Sequence, residues 1–359
     1  MYNALFFFDF LFNRIVPNLY ISNAGLGTEA EKLEITSPLF YLTVIPMKKR
    51  IEELDFLKCV FIILMIVFHL VYIGDKYPYA KQLVYTFHMP AFLLISGYLV
   101  SISKKPLAFF RTMGWIFVPY AVMESGYMVM SSILPVRDGV DELSLTVWTD
   151  KLFLHPLGPY WYLHTLMLCS TTYYLLDRVG RRWLKNTLSF SIVLALCLAV
   201  ESTVLHISSL PHVLYFWGGI MLRRCNLSFT GFFKTSWWGI LPFIWLSANE
   251  QNLNCFTWGG MAMVYLAISM GLTVYPFLSG KLRDACLYIG RNTFVILVFS
   301  PIFTVITKSF VSFFSFDTSG MCFLIVSVDF VLAGSFLIAW CMDRCKVSCF
   351  FWGKERMLQ

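Results

Sequence analysis

Residues 47–70 read MKKRIEELDFLKCVFIILMIVFHL, a basic cluster followed by a long apolar run. About 20 predominantly apolar residues are enough to cross a hydrocarbon core. Backbone groups in lipid must be satisfied within the segment, so the run is predicted to be a helix. It lacks the strict alternation of a barrel strand. Similar runs recur along nearly the whole chain. Of its 359 residues, 58% are apolar and 14% charged, whereas a soluble domain uses about a quarter charged residues to cover its surface. Lipid must supply most of the solvent. The fold class is therefore all-α, a polytopic membrane helix bundle.

Counted from Met47, the 20-residue criterion gives about ten transmembrane helices. They are expected near 56–74, 82–101, 108–134, 152–176, 187–206, 210–222, 236–248, 256–278, 286–314 and 320–342. The run at 286–314 is long enough to break, with Pro301 as the expected point. The net charge of +7 does not point to nucleic acid, because lysines and arginines gather in every second connection, the pattern that orients a membrane protein. Placing Arg50 and its two lysine neighbours inside assigns Lys104, Arg111, Arg178, Arg181, Arg224 and Arg283 to inner loops. Both termini are expected to be cytoplasmic, in a multi-pass protein of the cell (inner) membrane. Residues 1–46 are read as an extension outside the fold, with Met47 as the true start. Residues 47–346 form the transmembrane domain and 347–359 a short cytoplasmic tail.

Ten cysteines are scattered singly and read as small buried apolar residues. Cys341, Cys345 and Cys349 share a helical face, but no histidine or carboxylate completes a tetrahedral metal set. No metal site and no bound cofactor are expected.

Ionisable groups within a span are costly, which makes them functional candidates by default. Asp55, Lys58, Ile62, Met65 and His69 follow at three- or four-residue steps, on one helical face. Asp55 and Lys58 suit an i,i+3 ion pair. His69 suits proton removal from a hydroxyl near neutral pH, or equally a structural bond to a neighbouring helix. The second run opens FHMPAFLLISGYLV, residues 87–100, with His88 and Pro90. Ser96-Gly97 follows two turns later, where a small residue permits close approach.

Those two blocks, with FFRTMGWIFVPY at 109–120 and GPYWYLHTLML at 158–168, resemble in order the acyltransferase family 3 membrane proteins. The family includes bacterial polysaccharide O-acetyltransferases and fucose-4-O-acetylase-like enzymes, and the resemblance runs from about Lys48 to the C-terminus. It implies transfer of an acetyl or other short acyl group from acyl-CoA, a co-substrate, to a sugar hydroxyl of a surface polysaccharide or glycolipid. By the same resemblance His69 is the general base, with Asp55 as its acidic companion. Lys58, His88, Ser96, Arg111, Trp161 and His164 are candidate substrate and donor contacts. Arg111 is suited to the CoA phosphates, as fixed positive charge is, and equally to marking topology. Two positions depart from the family pattern. Trp115 stands where a second basic residue is common, and Ser300 stands where a histidine often precedes Pro301.

Two other classes remain at this point. Buried histidines and charges also mark transport pathways, so a permease for a sugar-linked or acylated metabolite is the alternative, although no pair of matching halves is visible. A scaffold whose polar residues only join helices is the third.

Overall fold

The computed structural model describes residues 50–133, 140, 142–184 and 186–359; the expected extension 1–46 and the start at Met47 lie outside them. Among the described residues there are helices and no strand. In chain order the helices are α1 (Glu52–His69), α2 (Val71–Lys76), α3 (Pro78–Leu99), α4 (Pro106–Ile133) and α5 (Leu145–Phe153). Then come α6 (Trp161–Gly180), α7 (Thr187–Thr203), α8 (Leu210–Arg224), α9 (Phe229–Phe232) and α10 (Ile240–Ser247). The last five are α11 (Trp258–Val274), α12 (Gly280–Arg291), α13 (Thr293–Ile306), α14 (Met321–Arg344) and α15 (Ser348–Phe351).

Among the described residues, three segments are long and apolar enough to cross a membrane: Trp258–Phe277, Thr293–Phe314 and Met321–Arg344. Each of the other expected spans meets a helix, but those helices carry ionisable residues along their length or are short. The expected span at 236–248 is a single 3-10 turn followed by α10. The run at 286–314 breaks at Asn292, not at Pro301, which lies inside α13. The reason is that 286–291 belongs to α12, a helix with Lys281, Arg283 and Asp284 exposed on its surface. Asn292 stops it by donating Nδ2 to the Tyr288 carbonyl at 2.9 Å. Pro301 only removes one amide donor, and membrane helices tolerate that.

Apart from the charged residues of its first two turns, α1 is apolar and buried on nearly every side, with Leu54, Phe56, Leu57, Phe61, Ile62, Met65 and Ile66 in the core. A helix apolar all round belongs in the centre of a large bundle, and α12 presses on it. A Cβ at Gly290 would lie 1.8 Å from the Asp55 carbonyl oxygen. α14 is the opposite case, since only 22% of its apolar window is buried. Its exposed Ile325, Val326, Leu337 and Trp340 give lipid an apolar face. Outside the spans, Asp317 caps the start of α14, accepting from Ser319 and from the Cys322 amide. These hydrogen bonds, the Ser319 hydroxyl foremost, hold its carboxyl well below the usual range. The cap is therefore intact at neutral pH and is released only as pH falls through that lowered value.

The most extensive helix pairing joins α3 to α8. Two glycines make it. A Cβ at Gly97 would lie 2.0 Å from the Phe216 carbonyl oxygen, and one at Gly219 would lie 2.0 Å from that of Leu94. The two backbones are in direct contact, a crossing that only glycine permits. This seam fixes α3, which carries His88 and Ser96, against α8, which carries His212.

Candidate active site

His69 is the last residue of α1. Its Nδ1 lies 2.7 Å from the Met65 carbonyl. A carbonyl only accepts, so Nδ1 holds the proton of the neutral ring and Nε2 is the basic nitrogen. The sequence placed His69 within a span continuing to residue 74. Instead the chain bends at Leu70 into the short α2, and the imidazole stands half-buried at the helix end.

His88, one turn into the buried part of α3, repeats this arrangement. Its Nδ1 lies 2.8 Å from the Val84 carbonyl, and its Nε2 is buried without a hydrogen-bond partner among the described residues. Tyr85 stands between the two histidines, with ring centroids 6.0 Å from His69 and 5.2 Å from His88. Its hydroxyl donates to the Phe68 carbonyl at 3.2 Å, which ties α3 to the end of α1 beside His69. Tyr85 also lines a cavity of about 610 Å³ with Asp75, Lys81, Gln82, Thr86 and Asn254. That volume, with these polar side chains set in a partly apolar wall, suits a small ligand that carries hydrogen-bonding groups. The far wall is held by Tyr215 of α8, which donates to the Cys255 carbonyl at 2.7 Å.

Ser96 and Trp161 reach the same region through partners. The Ser96 hydroxyl lies 2.6 Å from that of Tyr162. Trp161 stacks on His212, with centroids 4.4 Å apart and planes at 24°, and His212 in turn lies within electrostatic reach of His88. Tyr85 and His212 were not singled out from sequence. His212 follows a proline near a loop, and nothing in a linear reading brings it to His88; the glycine seam does.

His164 lies against the segment that precedes α6. Its Nε2 donates to the Phe153 carbonyl at 2.8 Å. Tyr120 donates to the neighbouring Leu152 carbonyl at 2.8 Å. Glu124, fully buried in α4, accepts from the Leu157 amide at 2.5 Å. Three polar side chains thus clamp the segment 152–157, which leads into Trp161. His164 thus ties the start of α6 to this segment. Glu124, missed in the sequence, is the acid of this clamp.

Asp55 does not accompany His69. The two are fourteen residues apart on one helix, about 21 Å at 1.5 Å per residue. A shared face is not a shared site, and the axial rise separates them. Asp55 instead pairs with Lys58 at 2.7 Å, with Arg291 of α12 at 3.9 Å. Arg111 is exposed near the start of α4, beside Thr112, which accepts from Lys104 at 2.9 Å. By contrast Arg181 and Arg224 are engaged by Asp177, at 3.0 and 3.1 Å.

A family profile described as an acyltransferase domain matches residues 51–340, most of the chain. The chain belongs to acyltransferase family 3. It is thus an acyltransferase with membrane-spanning helices, and both histidines of the cluster lie within the matched segment. No curated protein and no solved structure matches it.

Both departures from the acyltransferase family 3 pattern lie beside the C-terminal segment. The Trp115 indole packs on Gly353, where a Cβ would come within 2.1 Å of the ring. Phe299, next to Ser300, stacks on Phe351 at 6.1 Å and meets Trp352 edge-on at 5.8 Å. The residues after 346, expected as a plain tail, are therefore docked into the bundle, with Trp352 only 3% exposed.

Proposed function

We propose that this acyltransferase moves an acetyl or other short acyl group from acyl-CoA to a sugar hydroxyl of a surface polysaccharide or glycolipid, with His69 as general base. The observation that supports this reading is the cluster His69–Tyr85–His88, whose central tyrosine lines a cavity with several hydrogen-bonding side chains at the end of α1. In the reaction, Nε2 of His69 takes the proton of the acceptor hydroxyl as its oxygen attacks the thioester carbonyl carbon. The carbon–sulfur bond then breaks, and the CoA thiolate takes the proton from the imidazolium. The products are the ester and free CoA. Base catalysis and alignment of two held substrates are the effects required. A serine acyl-enzyme is not needed.

The donor enters from the cytoplasm in this reading, at the end of the bundle that carries Arg111. It rests on about ten spans with both termini inside, in the cell membrane. The acceptor occupies the cavity at the opposite end, where Asp75, Gln82 and Asn254 offer hydrogen bonds to sugar hydroxyls and Tyr85 offers an aromatic face. Comparing the O-acetyl content of surface and lipid-linked glycans with and without the gene tests the function as a whole; equal content would refute it.

Two kinetic predictions follow from the division into ends. Arg111→Ala is expected to raise KM for acyl-CoA roughly tenfold, the worth of one charge-assisted phosphate contact, with the acceptor constant unchanged. An unchanged donor constant would return Arg111 to a topology marker. Tyr85→Ala is expected to do the reverse, raising the acceptor KM by roughly fivefold to tenfold through loss of an aromatic face. Tyr85→Phe keeps the ring and should stay near the parent. Equal effects of the two variants on the donor would contradict the assignment.

A further inference from the structure

The chain beyond the family-matched segment builds a second cavity, at the far end of α14 from its Asp317 cap. It encloses about 810 Å³, and its lining includes Tyr288, Trp340, Arg344, Lys346, Glu355 and Arg356. The C-terminal segment supplies one wall, and that wall is fixed. Asp343 accepts from the Ser348 hydroxyl at 2.5 Å and from the Met357 and Leu358 amides at 2.9 and 3.2 Å. The side chain of Asn292 exchanges hydrogen bonds with the Gln359 backbone, at 3.0 and 3.3 Å. Lys346 and Gly353 turn the chain through the left-handed region, with φ of 58° and 67°, and Trp352 packs against Phe294 and Phe299.

The charge in this cavity is unbalanced. Asp343 is taken up by tail amides and a serine hydroxyl, so it does not serve the cations. Among the described residues no ion pair joins Arg344, Lys346 or Arg356 to any carboxylate, Glu355 included. Three exposed cations thus meet two carboxylates, Asp343 and Glu355, at one concave site, and the Asp343 oxygens are already engaged by the docked segment. Water screens much of the repulsion between exposed cations, and an oxyanion placed among them would accept hydrogen bonds from all three. Two guanidinium groups favour a planar or tetrahedral oxyanion that accepts several hydrogen bonds, as phosphate does. Trp340, 56% exposed, continues the cavity into the lipid-facing surface of α14.

We infer that this cavity is a phosphate site, filled by the headgroup of an anionic phospholipid or by the phosphates of a nucleotide. A basic pocket at the end of a membrane helix, bordered by an exposed tryptophan, matches the first source. The second would be a soluble nucleotide, bound apart from the donor contact proposed at Arg111. The site stands apart from His69 and its reading does not depend on the acyl-transfer chemistry.

The test is binding to the full-length protein in two arms. In one, the protein is placed in phosphatidylcholine nanodiscs with or without phosphatidylglycerol, and bound lipid is counted by native mass spectrometry. In the other, adenosine 3′,5′-bisphosphate is titrated calorimetrically. The parent should retain phosphatidylglycerol over phosphatidylcholine, or bind the bisphosphate, and the arm that responds names the source. Arg344→Ala with Arg356→Ala should weaken that binding about 25-fold, roughly fivefold for each cation, and the paired lysine substitutions should keep most of it. Glu355→Gln, which leaves the tail anchors untouched, should tighten it by about fivefold. A parent that responds in neither arm overturns the inference. So does a double alanine variant that binds as the parent does, or a Glu355→Gln chain that binds no tighter.

Discussion

His69→Ala should insert, accumulate and unfold like the parent chain, yet transfer acyl groups at least a hundredfold more slowly. A positioned general base contributes about 10²–10⁴ in rate, and nothing nearby replaces it. His88 is buried, and its Nε2 has no hydrogen-bond partner among the described residues, but it lies behind Tyr85 as seen from His69. Normal folding is expected because His69 ends its helix, half-buried, and its one recorded hydrogen bond is to its own last turn. Removing it breaks no hydrogen bond between helices and loses only a loose ring contact with Tyr85, at 6.0 Å. The measurement is acetyl release from labelled acetyl-CoA by purified protein, alongside its thermal unfolding. Parent-level turnover in a well-folded His69→Ala chain would remove the proposed base. His69→Gln should fail as completely, because an amide keeps the polarity and loses the basic lone pair.

The second large effect is structural. Gly97→Ala should lower the unfolding temperature sharply and abolish activity together with it. The added methyl would sit 2.0 Å from the Phe216 carbonyl oxygen, so α3 and α8 must separate along their main chains. Backbone cannot swing aside as a side chain can, and overpacking of this kind costs about 3 kcal/mol or more. Separation would also carry His88 and Ser96 away from His212, Trp161 and Tyr162. Gly219→Ala should behave alike, its methyl meeting the Leu94 carbonyl at 2.0 Å. Gly114→Ala and Gly126→Ala supply the control. At both positions a Cβ meets nothing within 4 Å, and the change should stay within about 0.5 kcal/mol. A Gly97→Ala chain as stable as these would end the seam account.

Much of the candidate site is legible in the sequence because its chemistry is local. His69 and His88 are visible as imidazoles inside apolar runs, where an ionisable group is costly. The Asp55–Lys58 pair is visible from its spacing, and the structure has it at 2.7 Å. Other parts mislead when periodicity is used without length. Asp55 and His69 do share a helical face, but the helix carries them to opposite ends. Pro301 is the loudest breaker in its run, yet the chain breaks at Asn292, where a side-chain amide meets the preceding turn and the C-terminal segment together.

Partners contributed by distant helices could not be read at all. His212 lies 124 positions after His88, and Glu124 reaches the 152–157 segment only through folding. In sequence Arg344, Lys346 and Arg356 are only three basic residues spread over thirteen positions near the last helix. Their convergence on one cavity depends on Asp343 and Asn292 fastening the chain end.

By itself the sequence determined the solvent, the helical class and the family, because apolar run length and the cost of unpaired backbone in lipid leave few alternatives. It also marked the two histidines, since the expense of an imidazole in such a run is set by neighbours along the chain. Which of those groups meet was decided only by tertiary structure. That outcome turns on contacts such as the α3–α8 crossing, where the absence of one methyl on each helix lets two backbones touch, and such contacts have no signature in the spacing of residues along either helix alone.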